Sequence, residues 1–497
     1  MNRSLAAAGP LLAAALLGAV QVLAFAPFGW WPLAWLSLAG LFALWLRAAP
    51  GRAFRLGYAF GLGLFGFGTS WVYHSIHTFG QSPAPFAAAL TVGFVAVLAA
   101  FPAAVGWAQA RLGRAGVGPG WRLLAVMPAL WLLAEWLRGW LFTGFPWLQV
   151  GYSQRLALGG YGPLLGVLGM SGVTALLAGL TVWGRRRPLP AVLAAALVLG
   201  AGWGLGQVTW TRPEGRPLRV ALVQGNIAQG DKWRAEWLVP TVERYLKLTR
   251  AHLDSDLVVW PEVALPGRYR LFKPQVLDPL RRELADSHTD LITGILHAQG
   301  GRLYNALLRL GKGPPAWYHK RHLVPFGEYI PLRRWLTWLE DMVVLPAADI
   351  APGRRAEPLP AAGTAVGGSI CYEDAYGAEM ADLLPAARLL VNVSNDAWFG
   401  DSLAPHQHLQ IARLRALELG RPLLRATNTG ISAVIDHRGR LAGRLPQFST
   451  AVLTARVQPR AGRTPFARWR NGTALALAAL ALGAALTLGR RRPRGVL

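Results

Sequence analysis

Hydrophobic positions along this chain obey two different rules, and the change between them falls near residue 212. Before that point, and again near the C-terminus, apolar residues run on almost without interruption. Between Ser4 and Leu46 there is no Asp, Glu, Lys or Arg, which is room for two bilayer crossings at about 20 residues each. Pro27, Gly29 and Pro32 mark the break, with Trp30 and Trp31 at interface depth. The pattern predicts helices near 6–26 and 31–47. A cleaved signal peptide competes for the first, but its apolar region would be only ~7–15 residues. Residues 56–110 again lack those four residue types and predict spans near 57–76 and 86–108, around the turn Gly80-Gln81-Ser82-Pro83. Further spans are expected near 122–140, 156–184, 189–209 and 472–489.

From 217 to 459 the apolar runs shorten and alternate with helical periodicity. Leu218–Val223, Leu257–Trp260, Leu291–Leu296, Tyr304–Leu310, Ala365–Cys371, Leu389–Ser394, Leu423–Asn428 and Ser432–Asp436 read as strands. Trp233–Leu253 and residues 274–286, 376–384 and 404–420 read as helices. Strands mixed with helices over this length make one α/β domain.

Charge decides how such a chain would be oriented. Basic clusters follow the second, fourth, sixth and eighth predicted spans (Arg47, Arg52 and Arg55; Arg111, Arg114 and Arg122; Arg185–Arg187; Arg490–Arg492 and Arg494). The positive-inside rule then puts both termini in the cytoplasm and the α/β segment outside. The expected organisation is a seven-helix membrane part over 1–211, a domain over 217–459, an eighth helix over 471–489 and a basic cytoplasmic tail over 490–497. Only 15% of residues are charged, against about 25% in soluble domains. The net charge of +26 therefore orients helices rather than gripping phosphates, and no nucleic-acid partner is expected.

Candidate chemistry concentrates at three short sites in the α/β segment, each following a strand-like run. In Val259-Trp260-Pro261-Glu262 a carboxylate is held in a stiff turn at a strand end, which suits a base for a thiol. An ordinary loop glutamate reads the same way in isolation. Tyr318-His319-Lys320-Arg321-His322 places a lysine in a chain that uses lysine five times in all. A compact ammonium can point at one developing oxyanion better than a guanidinium. The flanking histidines lack a matching Cys/His/Asp set, so no metal is expected. Gly367-Gly368-Ser369-Ile370-Cys371-Tyr372-Glu373-Asp374 carries the sole cysteine at the end of a glycine-rich strand. Alone it would pass for a buried structural thiol; with Glu262 and Lys320 upstream it reads as a nucleophile turn with an exposed sulfur.

The order W-P-E, then H-K-R-H-L-V-P-F-G-E, then I-C-Y-E resembles the Glu–Lys–Cys triad of the nitrilase (carbon–nitrogen hydrolase) superfamily, and within it the apolipoprotein N-acyltransferases. Gln224–Ile227, Asn392–Gly400 and Arg413–Glu418 extend the likeness over essentially the whole chain. The resemblance implies an α-β-β-α sandwich between membrane parts of seven helices and one. It implies Glu262 as base, Lys320 as oxyanion cation and Cys371 as acylated nucleophile, without metal or organic cofactor. Glu328, Asn305, Tyr372 and Glu373 would support the site, and Trp233, Trp398 and Phe399 would shape the substrate pocket. The implied reaction moves a fatty acyl chain from a phospholipid to the α-amino group of a diacylglyceryl apolipoprotein at a bacterial inner membrane. A membrane-tethered amidase could use the same triad. A transporter or scaffold would rest instead on polar groups such as Glu135, His74 and His77.

Overall fold

The computed structural model describes residues 2–335 and 349–489. The predicted tail at 490–497 lies outside them. Two compact units are present: Met1–Tyr73 with Ala88–Val208 and Trp469–Leu497, and His74–Ala87 with Thr209–Arg468.

The first unit is helical. Ala84–Arg114, Pro119–Arg138, Val150–Trp183 and Pro188–Gln207 are each long and apolar enough to cross a membrane. Ala8–Ala24, Pro32–Leu46 and Gly472–Thr487 are apolar but shorter. The helix expected over 57–76 instead runs Pro50–Gly68. Pro50 starts it, because proline suits a first helical position, and Thr69 ends it by turning its hydroxyl back to Phe65 O at 2.7 Å. Arg52 and Arg55 lie inside this helix, since charge ends an apolar run without ending a helix. Glycines set the closeness of packing. A Cβ on Gly18 would lie 2.0 Å from Phe60 O, and one on Gly63 2.0 Å from Ala15 O, so those backbones meet directly.

The second unit contains two six-stranded sheets. We number its strands β1 (Arg212–Pro213), β2 (Leu218–Gln224), β3 (Leu257–Val259), β4 (Asp290–Gln299), β5 (Arg302–Leu310), β6 (Ala316–His319), β7 (Leu359–Ala361), β8 (Thr364–Ile370), β9 (Leu389–Ser394), β10 (Leu423–Thr427), β11 (Ala433–Ile435), β12 (Leu441–Arg444), β13 (Ala451–Val457) and β14 (Arg460–Ala461). One sheet has the order β13-β2-β3-β4-β5-β6, the other β12-β11-β10-β9-β8-β7, and β1 pairs with β14 in a short ribbon. Alternation along each strand decides what lies between them. Leu218, Val220 and Leu222 of β2 face Val366, Ile370, Val391 and Leu424 of the other sheet in a shared buried core. Ala221 and Val223 face the opposite way, with Tyr245, Leu280 and Leu284 from helices Leu238–Arg250 and Asp278–Asp286. Helix Ala404–Leu419 covers the outer face of the second sheet through Leu409, Ala412 and Ala416. The layers are therefore helix, sheet, sheet, helix, as the resemblance implies.

All eight predicted strands are present, most within two residues of the expected ends. The helix expected over 376–384 is a short turn, Gly377–Met380, continued by a tighter one at Ala381–Leu383. Residues His74–Ala87, which the hydropathy pattern assigns to membrane helices and their turn, instead pack with the α/β unit. Ser75 donates its hydroxyl to Trp398 O at 2.8 Å, and the Phe79 ring meets the Trp398 ring edge-on at 5.6 Å.

Candidate active site

Three strand ends converge. Behind β3, Trp260 is locked by its indole N–H to Thr249 Oγ1 at 2.8 Å, and Pro261 then aims Glu262 inward. The turn is tight: Val263 has φ +44°. It also presses against β4, where a Cβ on Gly294 would lie 2.6 Å from Glu262 Cα, so glycine is required there. Lys320 follows β6 and is fully buried. Its backbone N–H donates to Asn305 O at 2.9 Å, tying it to β5. Cys371 ends β8 with φ +52°, a left-handed backbone unusual for a residue with a Cβ, and opens a tight turn over Cys371–Ala375.

Glu262, Lys320, Glu328 and Asn305 form one hydrogen-bonded group. Lys320 Nζ lies 2.9 Å from Glu328 Oε2 and 3.6 Å from Glu262 Oε1. Asn305 Nδ2 donates to both carboxylates, at 2.8 Å to Glu262 and 2.9 Å to Glu328. Asn395 N–H donates to Glu262 Oε2 at 3.0 Å, and Val324 N–H to Glu328 Oε2 at 2.9 Å. Burial opposes the charge of Lys320, but Glu328, Glu262 and Cys371 outweigh it and hold the ammonium above its ordinary pKa. Burial raises the Cys371 thiol well above its usual range, Glu262 adds to this and Lys320 opposes it. The thiol is therefore protonated at neutral pH. It becomes a nucleophile only when a neighbour removes its proton as it attacks. A carboxylate beside a protonated thiol and a permanently charged ammonium is an arrangement suited to acyl transfer.

Known proteins resemble this chain over both of its parts. Residues 17–180 match the family described as the apolipoprotein N-acyltransferase N-terminal domain, and residues 219–466 match carbon–nitrogen hydrolase. The apolipoprotein N-acyltransferase of Methylococcus capsulatus is 48% identical over 96% of this chain and 95% of its own length. That of Nitrosomonas europaea is 44% identical over 97% of this chain and 98% of its own. The chain belongs to the apolipoprotein N-acyltransferase family. A solved carbon–nitrogen hydrolase superfamily protein of Xanthomonas campestris is also similar, at 20% identity and TM-score 0.36, over 57% of this chain and all of that one.

The other residues singled out in this family member fall into two groups. Glu373 is buried and acts as a bracket: its carboxylate accepts from Tyr318 OH at 2.8 Å and from the N–H groups of Ile370, Arg321 and His322 at 2.7, 2.7 and 3.2 Å. It thereby fastens the residue before Cys371 to the residue after Lys320. The Tyr372 ring packs edge-on against Tyr376 at 5.1 Å and His322 at 6.1 Å. Phe399 meets His408 edge-on at 6.4 Å. Trp233 stands apart. It is 54% exposed and follows buried Lys232, whose Nζ donates to Glu262 O at 3.2 Å. Burial lowers Lys232 to about 8, with Glu262 opposing. Cys371, expected to expose its sulfur, is half-buried as a residue.

What sequence reasoning missed is a second buried cluster behind Cys371. His408 Nε2 lies 3.0 Å from Asp374 Oδ1 and 3.3 Å from Cys371 O, and its Nδ1 lies 3.1 Å from Asp396 Oδ1. Arg425 bridges Asp374 at 3.2 Å and Asp396 at 2.9 Å, and reaches Asn392 Oδ1 at 2.7 Å. Asn392 Nδ2 in turn donates to Cys371 O at 3.1 Å. One signal was available: an arginine inside the apolar strand Leu423-Leu424-Arg425-Ala426 must be paired when buried.

Proposed function

We propose that this protein transfers a fatty acyl chain from a phospholipid to the α-amino group of the N-terminal diacylglyceryl-cysteine of apolipoproteins, through a thioester on Cys371. The observation that carries the reading is geometric: Cys371 stands in a left-handed turn at the end of β8, in the same unit as a buried Lys320 whose Nζ lies 2.9 Å from Glu328 and 3.6 Å from Glu262.

In the first half-reaction Glu262 takes the thiol proton as sulfur attacks the ester carbonyl carbon. The tetrahedral oxyanion forms beside Lys320 Nζ and a backbone N–H of the turn after Cys371. As it collapses, the C–O bond breaks and the lysophospholipid oxygen takes the proton back from Glu262. In the second half-reaction the lipoprotein amine attacks the thioester carbonyl and gives a proton to Glu262. The C–S bond then breaks, the amide is released and the proton returns to sulfur. Glu328 and Asn305 hold Lys320 and Glu262 in register, Glu373 fixes the two turns, and Trp233, Trp398 and Phe399 border the substrates. No cofactor enters this scheme.

Both substrates keep their acyl chains in a bilayer. The reading therefore includes eight membrane spans, cytoplasmic termini, and a catalytic domain over 217–459 on the extracytoplasmic face of a bacterial inner membrane. The arginine clusters after alternate apolar runs support that topology.

Intact-protein mass spectrometry after incubation with phospholipid alone tests the scheme. The expected result is a gain of one fatty acyl group, removed by hydroxylamine and absent from Cys371→Ala. A folded wild type with no adduct would overturn it. Free fatty acid in place of N-acylated product, with lipoprotein present, would favour an amidase.

A further inference from the structure

Lys232 is a buried charge that the scheme above leaves without a task. A buried ammonium is normally held by a carboxylate, because a neutral partner returns little of the hydration it has lost. Lys232 ends instead on a neutral group, the main-chain carbonyl of Glu262, at 3.2 Å. Asp231, next in the chain, turns away to Arg234 at 3.6 Å. Burial opposes the charge on Lys232, and Glu262 supports it. So costly a group on one carbonyl marks that carbonyl as worth fixing.

The turn around Glu262 shows what the contact adds. β4 already holds its flanks: Gly294 N–H donates to Pro261 O at 3.2 Å, and Ala264 N–H donates to Gly294 O at 3.1 Å. Between them stands Glu262, and its own carbonyl is the one that Lys232 takes. The carboxylate is held separately, where Asn395 N–H donates to Oε2 at 3.0 Å.

Both of these holds lead back to one loop, residues 225–234. Its bend is closed by Asp231 and Lys232, whose N–H groups donate to Ala228 O at 3.1 and 3.0 Å. From that bend Lys232 reaches the Glu262 main chain, and Gln229 Oε1 accepts from Asn395 Nδ2 at 2.7 Å. The loop thus fixes Glu262 directly and also fixes the residue that fixes its carboxylate. Exposed Trp233 is carried on the same loop.

We propose that Lys232 is a positioning residue for Glu262: its ammonium sets the main chain of the base from the loop that carries Trp233. The inference rests on the reading of Glu262 as the base in acyl transfer. A charge-assisted hydrogen bond is about twice as strong as a neutral one, which suits a hold that must not slip. A misplacement of about 1 Å near reacting groups can cost about 10²-fold in rate. Loss of Lys232 therefore falls on proton transfer and leaves lipid binding as it was.

Single-turnover thioester formation on the full-length protein, with phospholipid in detergent, tests this. The variants are Lys232→Met, Lys232→Arg and Gln229→Ala, and the control is Lys247→Met, on an exposed lysine of helix Leu238–Arg250. In Lys232→Met the rate constant at saturating phospholipid should fall about 10- to 100-fold. The half-saturating concentration should stay within about twofold, as when an interaction acts only on the reacting state. Melting should hold, because the change also removes a buried charge. Lys232→Arg keeps a charged donor and should recover part of the rate. Gln229→Ala should lower the rate a few-fold at the same half-saturation, and Lys247→Met should match wild type.

Lys232→Met acylating at the rate of an active wild type would overturn this inference alone, as would a shift in half-saturation with the rate constant unchanged. Lys232→Arg restoring melting but no rate would make Lys232 a residue of the fold only. Should Lys232→Met fail to fold, a wild-type rate in Gln229→Ala would overturn the role of the loop. A wild type that forms no thioester would overturn the acylation scheme and this inference with it.

Discussion

Two buried charge clusters meet at Cys371, and they are built to opposite specifications. Behind the nucleophile, Asp374 and Asp396 are set against Arg425 and His408, and every carboxylate oxygen has a partner. Both ring nitrogens of His408 are taken as well. In front, Glu262 and Glu328 share one Lys320, and the contact to Glu262 is a loose 3.6 Å. The ammonium keeps donor capacity in reserve, and Asn305 Oδ1 has no partner among the described residues. The rear sets two cations against two carboxylates at 2.9–3.2 Å and, although Arg425 Nε lacks a partner among the described residues, that balance suits a part that holds its shape. The front sets one cation against two carboxylates with one loose contact, and in the proposed scheme scaffolding falls to the first and chemistry to the second.

Removing Lys320 should break the contrast most visibly. Lys320→Met is expected to lower turnover about 10²–10³-fold through loss of an oxyanion donor. It also leaves buried Glu262 and half-buried Glu328 without a cation, costing about 3–5 kcal/mol of stability. Adding Glu328→Gln should restore part of the melting temperature and none of the turnover. Recovery of both together would mean that Lys320 only holds the fold. Lys320→Arg should fail too, because a planar fork cannot replace a compact ammonium between two carboxylates.

The rear cluster should respond in the reverse sense. His408→Gln is expected to cost about 3–5 kcal/mol in thermal unfolding by leaving Asp374 and Asp396 short of a cation. Turnover should fall only about tenfold, through loosening of the Cys371 carbonyl it supports. The pH dependence gives a second readout. Burial and Arg425 oppose the charge of His408, yet Asp374 and Asp396 outweigh them and raise its pKa to about 9. A raised folded-state pKa stabilises fully below the unfolded value of about 6.5 and loses that contribution as pH rises through about 9. Wild type should therefore lose stability over that interval, and His408→Gln should not. A parallel decline in both would remove His408 from the account.

The same contrast explains how much could be read from the chain. Glu262, Lys320 and Cys371 each follow a strand, and strand ends are written locally in runs such as Leu257-Val258-Val259. Their convergence needs only that the strands lie in facing sheets. The rear cluster has no such local signature. Asp374 and Arg425 are 51 positions apart and meet because β8, β9 and β10 are parallel neighbours. β6, with its sequence Ala-Trp-Tyr-His, escaped notice because a four-residue edge strand carries too few alternations to register. Residues 74–87, read as span ends around a turn, group with the α/β unit. Hydropathy reports apolar character, and the same character suits packing against Trp398.

The smallest expected effect probes the loop that joins the two clusters. Asn395 donates to Glu262, Asp396 belongs to the rear cluster, and Trp398 follows two residues later. The Trp398 ring leans on Phe79, while its backbone carbonyl accepts from Ser75. Trp398→Ala removes the ring contact and keeps the backbone hydrogen bond, so the loop should loosen without detaching. An edge-to-face aromatic pair contributes about 0.5–1.5 kcal/mol beyond area burial, which converts to a roughly two- to tenfold change in acylation kinetics. Stability should barely move, because the ring is 43% exposed. Phe79→Ala should reproduce the effect, and the double variant should add little to either single one. Fully additive losses would mean that the two rings act separately, and that this anchor does not couple the front cluster to the rear.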